Sequence, residues 1–222
     1  MLNDPNYLVV PDGTEVISRG RYKEKNMECL FIPKDVREIQ EDAFRDCKNL
    51  REVMFEDGSA LKKIGPNAFY GCIRLASFAL PEGLEEIGMY AFYQSDICSV
   101  TFPASLRIVA QGAFAGCKSL KTAVLNEGLE VLGTDDGKKL GGVFQGSALE
   151  SVELPSTLTT IGDSAFEGCR DLKKVKMSDG LERIGDRCFF GSGITEFVVP
   201  KSVTEIGKCV FQECAALKRI SF

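Results

Sequence analysis

Leu158 to Met177 reads LTTIGDSAFEGCRDLKKVKM, and the chain repeats this pattern about eight times. Its anchor is a Phe, usually preceded by Ala: Phe44, Phe69, Phe92, Phe114, Phe144, Phe166, Phe189 and Phe211. Successive spacings are 25, 23, 22, 30, 22, 23 and 22. Self-similarity at a fixed period of this size marks stacked repeats and outranks any local reading. The internal offsets are stricter than the period. An Ile-type residue stands five before the Phe, as Ile39, Ile64 and Ile161 do, and a Leu or Val three before that. Three after the Phe comes Cys or Ser, then Leu or Ile, then another apolar residue.

One offset argues against coincidence. After Cys the next Leu is three residues on, as from Cys169 to Leu172; after Ser it is two on, as from Ser192 to Ile194. That residue makes the period alternate between 23 and 22. Turn chemistry alternates with it: EGL and DGL (Gly83, Gly128, Gly180) swap with PASL, PSTL and PKSV (Pro103, Pro155, Pro200). The higher unit is two turns.

A single turn has too little apolar surface to bury itself, so turns must stack. The LxxVxF piece, as in Leu50-Val53-Phe55, predicts a short strand pairing in parallel with its neighbours about 4.8 Å away. The LxxIG piece predicts a second short extended segment opposite. The Gly after it (Gly65, Gly88, Gly133, Gly162, Gly185, Gly207) suits a turn with positive φ. AFxxC is too short for a helix and predicts a tight or 3₁₀ turn whose Phe residues stack. The fold class is therefore a repeat solenoid, mostly β and irregular with little α-helix.

The pattern LxxIgxxAFxxCxxLxxIxLP resembles the BspA-like (treponemal-type) leucine-rich repeat family, over nearly the whole chain from about Gly13 to Phe222. The resemblance implies a solenoid and, more loosely, surface-associated or secreted proteins that bind other macromolecules. It brings no catalytic motif.

Residues 1–12 read as a loose end, 13–35 as a degenerate capping repeat with Tyr22 in the Phe slot, and 36–222 as eight repeats, all in one domain. One repeat carries an insertion at 133–142. The sequence stops at Ile220-Ser221-Phe222, inside a strand. Either a longer protein continues beyond it, or that end associates end to end with another copy.

Composition narrows the function. The 222 residues carry a net charge of −5 with no basic run, which disfavours nucleic acid and anionic membrane. There is no apolar run long enough to insert in a membrane. The start, MLNDPNYLVVPDG, does not read as a signal peptide, so a cytoplasmic location stands beside the surface one. There is no His, which removes Ser-His-Asp and Cys-His catalysis. Nine Cys include no CxxC, so no zinc or thioredoxin pattern is present, and no cofactor is expected. The Cys at the ladder position read as buried free thiols packing like small apolar residues. Paired acids such as Glu85-Glu86 and Asp135-Asp136 fall in turns, where solvated charge is the ordinary state.

Two surfaces remain as candidates for a non-enzymatic protein-binding or adhesion module with a protein or glycoprotein ligand. The first is the outward strand face: Phe31, Met54, Ala79, Thr101, Val124, Glu153, Lys176 and Val198. The second is the insertion loop with Asp135, Asp136, Lys138 and Lys139. That loop lacks the regular acidic spacing and distal Glu of a calcium loop. The alternative is a structural spacer or intracellular scaffold with no ligand of its own.

Overall fold

A computed structural model describes residues 6–133 and 141–221. It is a right-through stack of about nine turns, with strands and turns and no helix among the described residues. One face carries β1 (Tyr7–Val9), β3 (Cys29–Ile32), β5 (Glu52–Phe55), β7 (Ser77–Phe78), β9 (Ser99–Thr101), β11 (Thr122–Val124), β13 (Ser151–Glu153), β15 (Lys174–Lys176), β17 (Glu196–Val198) and β19 (Arg219–Ser221). The opposite face carries two-residue strands from the LxxIG segments: β2 (Val16–Ile17), β4 (Glu38–Ile39), β6 (Lys63–Ile64), β8 (Glu86–Ile87), β10 (Ile108–Val109), β12 (Val131–Leu132), β14 (Thr160–Ile161), β16 (Arg183–Ile184) and β18 (Glu205–Ile206). These nine form one unbroken parallel sheet. All described pairings are parallel and in register, turn on turn.

The AFxxC turns form a third ladder. In most of them, the N–H groups of the anchor Phe and of the residues two before and two after it donate to carbonyls of the next turn. Asn67, Phe69 and Gly71 thus donate to Met89, Ala91 and Tyr93 at 2.8, 2.8 and 2.9 Å. The backbone achieves this by alternating handedness. The residues two before and two after the Phe have positive φ in every turn but that of Phe144, where Gly142 does not; Asn67 (54°) and Gly71 (69°) show the pattern, which swings their N–H groups to the same side as that of Phe69.

This corrects the expectation for the glycine after the Ile. Gly65, Gly88, Gly162, Gly185 and Gly207 are absent from the positive-φ residues; only Gly133, at 78°, fits. They are required by space. A Cβ on Gly88 would lie 2.6 Å from the Pro66 nitrogen and 2.7 Å from the Gly65 carbonyl carbon. Backbones of adjacent turns touch there, and no side chain fits between them.

The interior is a continuous column of apolar side chains. The anchor rings stack face to face, with centroids 5.1 Å apart for Phe44–Phe69 and 5.4 Å for Phe69–Phe92 and Phe166–Phe189. Tyr22 heads the stack, 5.3 Å from Phe44. The N-terminal stretch also differs from the expected loose end. Tyr7–Val9 pairs with Cys29–Phe31, and Val10 is fully buried, because Leu8 and Val10 cover the apolar end of the first repeat.

The long-strand face, unlike its opposite, is broken. Pairing runs β1-β3-β5-β7, stops, runs β9-β11-β13-β15, stops, and ends in β17-β19. Both breaks adjoin a strand whose inward residue is Phe, namely Phe78 in β7 and Phe197 in β17. The other internal strands carry Leu30, Val53, Val100, Ala123, Val152 or Val175 at that place. Phe78 wedges edge-on against the stacked rings of Phe69 and Phe92, at 5.1 and 4.8 Å. Each break thus falls where a ring stands in place of a smaller inward side chain.

Candidate functional site

The outward residues of the long strands form the candidate surface, and the strand period of two places them there. The structure aligns them in pieces: Phe31 with Met54, Thr101 with Val124, Glu153 with Lys176. Across the breaks, Ala79 is unpaired with Thr101, and Lys176 with Val198. Phe31 and Met54 are half-buried, while Ala79, Thr101, Val124, Glu153, Lys176 and Val198 are exposed. The large apolar side chains most open to solvent on this column are Val124 (44%) and Val198 (62%). The insertion-loop residues Asp135, Asp136, Lys138 and Lys139 lie outside the described residues.

Charge on this face is mostly compensated between adjacent turns. Glu28 meets Arg51 at 3.5 Å, Lys121 meets Glu150 at 3.7 Å, and Glu196 meets Arg219 at 3.0 Å. Glu153 and Lys176 also pair. In-register stacking makes this geometry available to any acid and base at equivalent positions. Such exposed pairs add little stability, about 0–1 kcal/mol each, so they set surface pattern more than fold. The opposite face does the same: Glu85 binds Lys62 at 2.9 Å and Glu86 binds Lys63 at 2.8 Å. Glu85 and Glu86 are thus each paired with a lysine, while Asp135 and Asp136 lie outside the described residues.

A dip lies at β7. Its outward residues, Ser77 and Ala79, are small, whereas Met54 precedes and Thr101 follows. A groove of about 480 Å³ runs between β5 and β7, bordered by Glu56, Asp57 and Gly58, where that repeat is lengthened to 25 residues. A second hollow of about 330 Å³ lies on the β9 side. Sequence reasoning named Met54 and Ala79 as residues of the outward column but not the hollow between them. The signal for it was the pairing of an insertion with two small outward residues one turn later.

The turn side has a different cavity, of about 570 Å³, between Gln145, Ser164, Glu167 and Arg187. Its walls are already satisfied. Arg187 clamps Glu167 with bonds of 2.7 and 3.2 Å, and Asp163 and Asp186 accept backbone N–H groups from the next turn at 2.8 and 2.7 Å.

The ladder cysteines are all free thiols, and they are more than apolar filler. Each Sγ donates to the carbonyl of the previous anchor: Cys72 to Phe44 at 3.2 Å, Cys117 to Phe92 at 3.1 Å, Cys169 to Phe144 at 3.0 Å. Where the preceding turn has Ser, its hydroxyl meets the thiol, as Ser95 meets Cys117 at 3.2 Å. Burial pushes the Cys117 and Cys169 thiols up from 9.0 to about 11. These thiols are locked in the core and protonated at neutral pH. No cluster of acids and cysteines suited to a metal ion is present among the described residues, and no helix there is long and apolar enough to cross a membrane.

A full core, three backbone ladders and a solvent-facing strand column define a leucine-rich repeat solenoid, a scaffold class built for interaction through its surface. The family model for the BspA type leucine rich repeat region matches residues 15–135 and 141–222, in six copies, and the chain belongs to that family. A leucine-rich repeat protein from Bacteroides ovatus has a similar structure, with 31% identity and a TM-score of 0.86 over 100% of this chain. The chain spans 58% of that protein's length. The Treponema pallidum leucine-rich repeat protein shares the fold at 24% identity and TM-score 0.60, covering 96% of this chain and 78% of its own. A leucine rich cell surface protein from Faecalibacterium prausnitzii shares it at 19% identity and TM-score 0.53, over 97% of this chain and 87% of its own. No curated protein matches the sequence.

Proposed function

We propose that the chain is a non-enzymatic binding module of a cell-surface or secreted protein, and that it holds a protein or glycoprotein ligand against its long-strand face. The observation that carries this reading is the outward column itself. The core beneath is closely packed, yet Val124 and Val198 stand exposed on the long-strand face. Family membership supports the surface location, as does the description of the Faecalibacterium relative as a cell surface protein. Adhesion is the use such a module would have there.

The test is surface plasmon resonance against a panel of purified matrix and cell-surface glycoproteins. Val124→Asp and Val198→Asp should abolish the response while leaving the thermal melt unchanged. A response indifferent to both substitutions would reduce the molecule to a spacer.

A further inference from the structure

We propose that the dip at β7 is the docking groove for an extended, lysine- or arginine-bearing segment of a partner protein. The proposal rests on the strand-face reading and names where on that face, and to what chemistry, the partner attaches.

The groove floor is largely apolar, with Phe55, Leu80 and Pro81 below the small Ala79. Its walls carry Glu52, Asp57 and Glu82. None of these three carboxylates has a cationic partner among the described residues. Glu56 alone of the wall acids is held: it accepts from the Lys34 backbone N–H at 2.9 Å and lies 3.8 Å from the Lys34 ammonium. The contrast with the rest of the face is the argument. Glu28, Glu150, Glu153 and Glu196 each have a basic residue at the equivalent place one turn away. Glu52 has Cys29 and Ser77 instead. No Lys or Arg lines either hollow. The surface is therefore apolar below and uncompensated negative above, the complement of an apolar segment flanked by cations.

Length sets the occupant further. Along β5, Glu52 to Phe55, the groove follows four residues of strand, about 10 Å at strand rise, and Asp57 stands in the turn beyond. A segment of about six residues fills it, with a cation at each end to reach Glu52 and the Asp57–Glu82 side. Ser77 and Ala79 leave room for a backbone to approach, whereas Met54 and Thr101 confine it on both sides.

The probe is a fluorescein-labelled peptide, Lys-Ala-Val-Ala-Val-Lys, titrated with the intact protein by fluorescence anisotropy; Glu-Ala-Val-Ala-Val-Glu is the control. The lysine peptide should saturate and the glutamate peptide should not. Glu52→Lys and Glu82→Lys should each weaken binding about tenfold, the effect of one reversed charge on the rim. Raising salt from about 0.05 M to about 0.5 M should weaken it further, because the charges are solvent-facing. Ala79→Arg, which fills the dip, should abolish binding and keeps the test decisive if a charge reversal disturbs folding. No saturation, equal binding of both peptides, or indifference to Glu82→Lys and Ala79→Arg would overturn the groove. Loss of glycoprotein binding in Val124→Asp alongside a silent lysine peptide would remove the groove and leave the wider face standing.

Discussion

Single residues in this fold are chosen for what they do to the neighbouring turn. Gln94 is an example. It sits two after its anchor Phe, at a φ of 58°, to aim its N–H at Ala115. A non-glycine residue in that conformation costs about 1–2 kcal/mol. Glycine removes that strain while adding about 0.5–1 kcal/mol of unfolded-state entropy. Gln94→Gly should therefore stabilise the protein by up to about 1 kcal/mol, measurable by urea denaturation. Gly88→Ala should do the opposite and cost about 2–3 kcal/mol, because its Cβ would enter the backbone of the preceding turn. The ladder thiols give a pH signature. Cys117 and Cys169 hold their protons more tightly folded than unfolded, so stability is full below about pH 9 and falls as pH rises toward about 11. Two units correspond to roughly 3 kcal/mol per thiol. The Cys117→Ser, Cys169→Ser double variant should flatten that part of the stability–pH curve. The sequence announced both positions by their spacing, but a thiol's hydrogen bond to a carbonyl one turn away leaves no mark on composition.

At the scale of elements, the period, the anchor Phe and the strand positions were readable because stacking repeats the same constraint at each turn. The handedness of the AFxxC turn was not. Its positive-φ sites hold Asn67, Tyr90, Ser164 and Arg187 as well as glycine, so no residue type betrays them. The breaks in the long-strand face were legible only in hindsight, through Phe78 and Phe197 at sites that elsewhere take smaller residues. If the ring causes the break, Phe78→Val should close it. In parallel register the Thr101 amide would then reach the Phe78 carbonyl, and its hydrogen exchange should slow. Global stability should fall by about 1–3 kcal/mol as the ring's packing is lost. Unchanged exchange at Thr101 would assign the break to the extra residues of the preceding repeat instead. The dip that carries the candidate groove follows from the same two elements; the sequence placed Met54 and Ala79 on the column, but the depth between them depends on how the turns pack.

For the whole molecule, the three ladders have a mechanical consequence. Each turn is bonded only to the turns beside it, so tension along the axis meets no contact spanning the whole length. Held at one end and drawn from the other, the molecule should pay out in steps of one coil, each releasing 22 or 23 residues, about 75 Å of contour. A tether of this kind would lengthen under shear and rewind when the load drops.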